Sequence, residues 1–338
     1  MNNNRRNFFK TIGTAAAGVA AINPLINPNQ ANAALAPGYR AAFLHSLILD
    51  GSLAGIVREF DGGDAVGVVV HGIADEAGIV RKHIGDVTFG EISIACGAEM
   101  TAPFFGWISQ LLNRTPIARS GAILSADAAG RTQNQLSFMD ALITEVTFPE
   151  LESDSKAPAS FALKLAPEFT RIDPPSLPTI SGSQTTKAKQ WLTSNYRVSI
   201  GTIPADTTAR VSKVEALTIK QKLIAADPGE IRDPFIDVEP LDIGNIVLSV
   251  PEKFAQPFID WHHSFVIQGF NAAENETYMK IEYLGVRGEV LFSLMLFGVG
   301  IFRVTRLGET DKRINQRIVQ ASLYAETAAF YVGEPPTS

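Results

Sequence analysis

Four groups of residues in this 338-residue chain have types and spacings that invite a chemical reading. Asp61-Gly62-Gly63-Asp64 sets two carboxylates across a glycine turn, as a calcium loop would. It lacks the regular spacing of oxygen ligands such a loop needs, so a surface turn is the simpler reading. His262-His263 offers two imidazoles, but neighbours on a helix point about 100° apart, whereas an i, i+4 pair would converge on a metal. Cys96 is the only cysteine, which excludes an internal disulfide and a cysteine-cluster metal site and leaves a buried, inert thiol as the default. Trp107 and Trp261 could stack on a ligand, yet their helical phase puts them on an apolar face. There is no GxSxG, HExxH, P-loop or dinucleotide fingerprint, and the carboxylates form no recognisable catalytic pair. The expectation is a chain with no catalytic, cofactor-binding or metal residues and no cofactor. An enzyme whose site is assembled from distant loops would escape this reading.

The elements that hold these residues repeat. Thr101-Ala-Pro-Phe-Phe-Gly-Trp-Ile108 has a twin in Ala255-Gln-Pro-Phe-Ile-Asp-Trp-His262, with Pro103/Pro257, Phe104/Phe258 and Trp107/Trp261 all 154 apart. Upstream, Gly90, Ile92 and Ile94 match Gly244, Ile246 and Leu248 at the same offset; downstream, Gly130, Leu136, Ile143 and Val146 match Gly288, Leu294, Ile301 and Val304 at 158. Near the ends, Ser160 to Leu163 and Phe169 align with Ala321 to Tyr324 and Phe330 at 161. Repetition in one order over this span predicts a duplicated unit: 39–173 and 190–333, joined by a Pro/Ser/Thr-rich linker, 174–189.

Each copy has extended segments, a differing loop (Ala74 to Asp86; Ala226 to Asp242), a short strand, one helix and long closing strands. In the helix Phe104, Trp107, Ile108 and Leu111 share one face, as do Phe258, Trp261, His262 and Phe265. Phe104, Trp107, Phe258 and Trp261 are therefore read as core anchors. With 27 Gly and 19 Pro, turns are frequent. The fold class expected is mainly β with short helices (α+β): two tandem sandwich or barrel units, each with one flanking helix.

The N-terminus reads as an export signal over residues 1–33: Arg5-Arg6 and Lys10, with Phe9 between them, then a weakly apolar Gly/Ala run and a small-x-small site at Ala31 and Ala33. The paired arginines before Phe-Phe-Lys fit the twin-arginine class, so the export machinery is an expected partner and the product periplasmic or extracellular. The chain carries 29 basic and 35 acidic residues, net −6, and loss of Arg5, Arg6 and Lys10 leaves about −9. That balance argues against direct nucleic-acid binding. No later run could span a membrane: Leu291 to Val304 is too short and carries two glycines, and reads as a buried or bulged strand.

Gly85-Asp-Val-Thr-Phe-Gly-Glu-Ile-Ser-Ile94, Gly97, the Trp107 helix, Leu142-Ile-Thr-Glu-Val-Thr-Phe-Pro-Glu-Leu151 and the closing strand from Ser160 to Phe169 resemble the tail-tube proteins of contractile phages and contractile injection systems. The resemblance spans 39–173, with 190–333 following through its likeness to the first copy. It implies sandwich or barrel subunits whose sheets join into rings and stack into a tube, with the variable loops at subunit contacts. The cleavable signal and the proline- and acid-rich second loop depart from that family. The resulting expectation is an exported, non-enzymatic structural protein that self-associates, three fused chains giving a ring of six units. The alternative is a monomeric binding module with a ligand or partner between its halves.

Overall fold

The computed structural model describes residues 44–74, 78–127, 129–177, 179–180, 191–225, 236–238, 240–311 and 316–336. The export signal with Arg5, Arg6, Phe9, Lys10, Ala31 and Ala33 lies outside them, as does most of the 174–189 segment.

The first half runs β1 (Leu44–Leu49), β2 (Ser52–Gly62), β3 (Ala65–Ala74), β4 (Val80–Phe89), β5 (Ile92–Cys96), α1 (Ala102–Leu112), β6 (Arg119–Ala126), β7 (Thr132–Phe148), β8 (Leu151–Glu152), β9 (Phe161–Ala166) and β10 (Phe169–Asp173). The second half runs β11 (Trp191–Ile200), α2 (Ala205–Thr208), β12 (Lys213–Val214), β13 (Leu217–Lys220), β14 (Leu223–Ala225), β15 (Ile236–Val238), β16 (Asp242–Ile243), β17 (Ile246–Pro251), α3 (Gln256–His262), β18 (Thr277–Gly285), β19 (Val290–Asp311), β20 (Gln316–Tyr324) and β21 (Thr327–Val332). The mainly β architecture with short helices is the one the sequence predicts.

Alternating burial shows why these segments are strands. Ile92, Ile94 and Cys96 face inward while Ser93 and Ala95 are half-buried, and Phe161, Leu163 and Leu165 do the same in β9. In the first half β7 pairs β6 near its start and β9 near its end, and β6-β1-β2-β5-β9 completes the circuit, so the sheet closes into a barrel.

The two halves share a ladder pattern residue by residue. Leu163 pairs both Ile94 and Val146, and Ala321 pairs both Leu248 and Val304. The long strands bulge at Ile143/Glu145 and at Ile301/Arg303, and each bends at a left-handed residue, Asp140 (φ 48) and Gly298 (φ 60). These pairs fix the offset of the closing strands at 158. The value of 161 read from the sequence is corrected: burial of Phe161, Leu163 and Leu165 is matched by Val319, Ala321 and Leu323.

The halves differ at one seam. Where the first half has the start of β2 paired with β1, the second has the short turn of α2, and β11 is not paired with β12. Residues of the first half fill the opening. β8 pairs β12, and the Ala159 and Thr193 amides bond to the Trp191 and Ala157 carbonyls at 2.8 and 3.0 Å. In return β13 pairs the end of β7, so each half adds strand to the other's sheet.

One core runs through both halves. Phe105, Phe148 and Phe161 of the first meet Trp191, Tyr283, Phe292 and Phe330 of the second, with ring centroids 4.7 Å apart at Phe105–Phe292 and 4.8 Å at Phe161–Trp191. The start of the 174–189 segment is tied to the first half: the Ile180 amide bonds to the Gly130 carbonyl at 2.7 Å, and Ile180 packs with Leu124 and Ala126.

Candidate assembly interface

Phe104 and Phe258 are fully buried, and Trp107 and Trp261 nearly so. Trp107 Nε1 donates to the Ile117 carbonyl at 2.9 Å, tying α1 to the loop that follows it. α1 begins with Thr101 in an extended conformation and a proline in its first turn, where the missing amide costs nothing. α3 is shorter than α1 and passes into a π-helical turn, His263–Ile267, which carries Phe265 back into the core. His262 is half-buried at the end of α3.

The other groups singled out in the sequence have structural surroundings. Cys96 is fully buried, and burial followed by the charge of Glu99 pushes its thiol pKa well up, with Arg58 pulling the other way. Asp61 to Asp64 is the joint between β2 and β3. Gly62 and Gly63 both take positive φ there, and a Cβ on Gly62 would lie 2.0 Å from the Glu91 carbonyl oxygen. Among the described residues no group of three or more His, Cys, Asp or Glu is placed to hold a metal, and no helix is long and apolar enough to cross a membrane. An open cleft of about 340 Å³ bordered by Asp50, Phe138, Phe169, Arg171 and Asp173 is lined by the first half and by Ser176 of the segment that follows it. Its charges are largely internally paired, Arg171 with Asp173 and Asp50 with Arg119. Among the described residues, aromatic side chains of both halves pack against one another at the seam.

The unusual surface is elsewhere. The segment read as a loop, Ala74 to Asp86, is in large part strand: β3 and β4 form a two-stranded ribbon that pairs with nothing else among the described residues. Its apolar side chains face solvent, with Val66 54%, Ile84 62% and Ile73 95% exposed and Val69 and Val87 alongside them. A two-stranded ribbon is marginal in water by itself, and an exposed apolar edge is a template for another strand.

A second open edge lies on β19. Beyond the Thr277–Val299 pair with β18, the stretch from Gly300 to Arg306 pairs only β20 among the described residues, leaving its opposite edge uncovered. Phe302 is 40% exposed there, and Arg303 and Arg306 are exposed beside it. Sequence reasoning missed both edges. The run Val66-Gly-Val-Val-Val70 followed by Ile84 and Val87 carried the signal for the ribbon.

No protein-family model matches the chain, and no curated protein matches it. Among solved structures, a chain of the anti-feeding prophage baseplate is 13% identical and matches over 43% of this chain and 100% of its own, with a TM-score of 0.35. A chain from the sheath/tube terminator of an extracellular contractile injection system, in its extended state, is 15% identical over 41% of this chain and 100% of its own, at 0.34. A chain from the cap that terminates the anti-feeding prophage tube is 16% identical over 47% of this chain and 99% of its own, also at 0.34. Each match covers under half of this chain, and similarity of this degree carries no functional conclusion.

Proposed function

We propose that this chain is an exported, non-enzymatic structural subunit, a fused pair of tail-tube-like units that self-associates through its sheet edges. The observation that carries the reading is a pair of edges with no further strand partner among the described residues, the β3–β4 ribbon with its exposed apolar side chains and the stretch of β19 from Gly300 to Arg306. Leaving such edges bare is a liability for a monomer and a means of assembly for a subunit. The repeated ladders, bulges and bends support duplication, with units at 39–173 and 190–333. The quoted motifs of the first half support the tail-tube resemblance, and the packed seam disfavours a ligand held between the halves.

Solution mass and negative-stain microscopy of the purified chain test the reading. Rings or filaments are the expected outcome, three chains giving a ring of six units, and a monomer at high concentration would sink it. Export through the twin-arginine route is part of the same proposal. Replacing Arg5 and Arg6 with Lys is expected to strand the protein in the cytoplasm, and unchanged export would contradict it.

A further inference from the structure

The chain contains, between its own halves, a contact whose counterpart is left open. β13 adds to the edge of β7 in the register Leu217↔Phe148, Thr218↔Thr147, Ile219↔Val146, Lys220↔Glu145, and the ladder continues as Gln221 donates its amide to the Thr144 carbonyl at 2.8 Å. Thr144 is the bulged residue of β7, its carbonyl turned outward to receive that bond.

Both partners have an equivalent in the other half. The Gly244 amide bonds to the Thr218 carbonyl and the Gly90 amide to the Asp64 carbonyl, both at 2.9 Å, so β13 corresponds to the root of β3. The bulges place the end of β7 on β19, with Thr144 at Phe302 and Val146 at Val304. Among the described residues, neither the root of β3 on its side away from β4 nor this stretch of β19 on its side away from β20 pairs with another strand.

We propose that the root of β3 in one copy adds to the edge of β19 in a second copy, in the register β13 takes on β7. Ala65 then faces Val304, Asp64 faces Thr305, Val66 faces Arg303, and the Gly67 amide donates to the Phe302 carbonyl. This rests on the self-association reading and deepens it by naming the surface and its occupant. Side-chain chemistry agrees. Thr147 and Thr218 share a hydrogen bond at 2.9 Å within the chain, and Asp64 opposite Thr305 offers a stronger acceptor in its place. The carboxylate of Asp64 also lies diagonal to Arg303, within reach across an antiparallel pair. The contact joins unlike surfaces, so it runs head to tail and builds a ring or a filament in preference to a two-fold dimer.

Cysteine pairing on the full chain tests it, and buried Cys96 gives little background. Val66 and Arg303 correspond to Lys220 and Glu145, which alternate with the hydrogen-bonded pairs of the ladder. Opposed Cα atoms are about 4.5 Å apart at such sites, within disulfide reach. Val66→Cys and Arg303→Cys are made in separate chains, mixed under mild oxidation and resolved on non-reducing gels, with Val66→Cys and Arg306→Cys as the out-of-register control. The expected result is disulfide-linked pairs between unlike variants, at least tenfold above the control mixture. Oligomers by solution mass with no such excess, or with links only between like variants, would overturn this register and leave self-association standing. Monomers alone would overturn both.

Discussion

At the residue scale, Trp107, Trp261 and Cys96 are side chains of the core. Trp107 fills the space between α1 and the sheets and anchors its indole N–H on Ile117, so Trp107→Ala should cost about 3–5 kcal/mol in denaturant unfolding. An unchanged midpoint would refute the placement. Cys96 should resist thiol reagents in the native protein and react only on unfolding, because burial disfavours its thiolate. Glu282 is nearly fully buried. Burial alone would raise its pKa, but hydrogen bonds from Lys280 and Arg197 outweigh it and hold the carboxyl below the usual carboxylate range. A depressed folded-state pKa adds stability that is fully present above the ordinary value, about 4.3, and is lost as pH falls through the folded-state value. Unfolding midpoints from pH 7 to pH 3 should therefore fall less steeply in Glu282→Gln. His45 acts in the same direction at higher pH, since burial lowers its pKa and favours the neutral imidazole that contacts Ser125.

Elements divide into those legible from local pattern and those that are not. The helix face of Phe104, Trp107, Ile108 and Leu111 and the alternation in β5 and β9 are written in short stretches of chain. The β3–β4 ribbon was less visible because burial pattern carries strand signal, and a ribbon projecting from the body has no inward face. The β13–β7 ladder could not be read at all: it joins residues about 70 positions apart, and nothing local to Leu217 or Phe148 specifies the partner. Val69→Thr with Ile84→Thr should leave unfolding within about 0.5 kcal/mol, as for solvent-facing side chains, while reducing the assembled fraction in solution mass measurements. Gly62→Ala should destabilise by about 1 kcal/mol or more, since φ is +90° and the Glu91 carbonyl occupies the space a Cβ needs. An alanine variant as stable as the parent would show that the joint accommodates a side chain.

For the whole molecule, the continuous aromatic core and the exchanged strands make the halves one cooperative body. Circular dichroism and tryptophan fluorescence should report a single coincident transition. Two separated transitions would mean that the halves fold alone.

Having β13 seated on β7 inside each molecule has a kinetic consequence for any larger structure. If the joints between neighbouring units are all alike, every second one is already made when the polypeptide folds, at the high local concentration a covalent tether provides. Only the alternate joints must be found by diffusion, so closure would need half as many encounters as with unfused units, and the onset of growth would fall at lower protein levels.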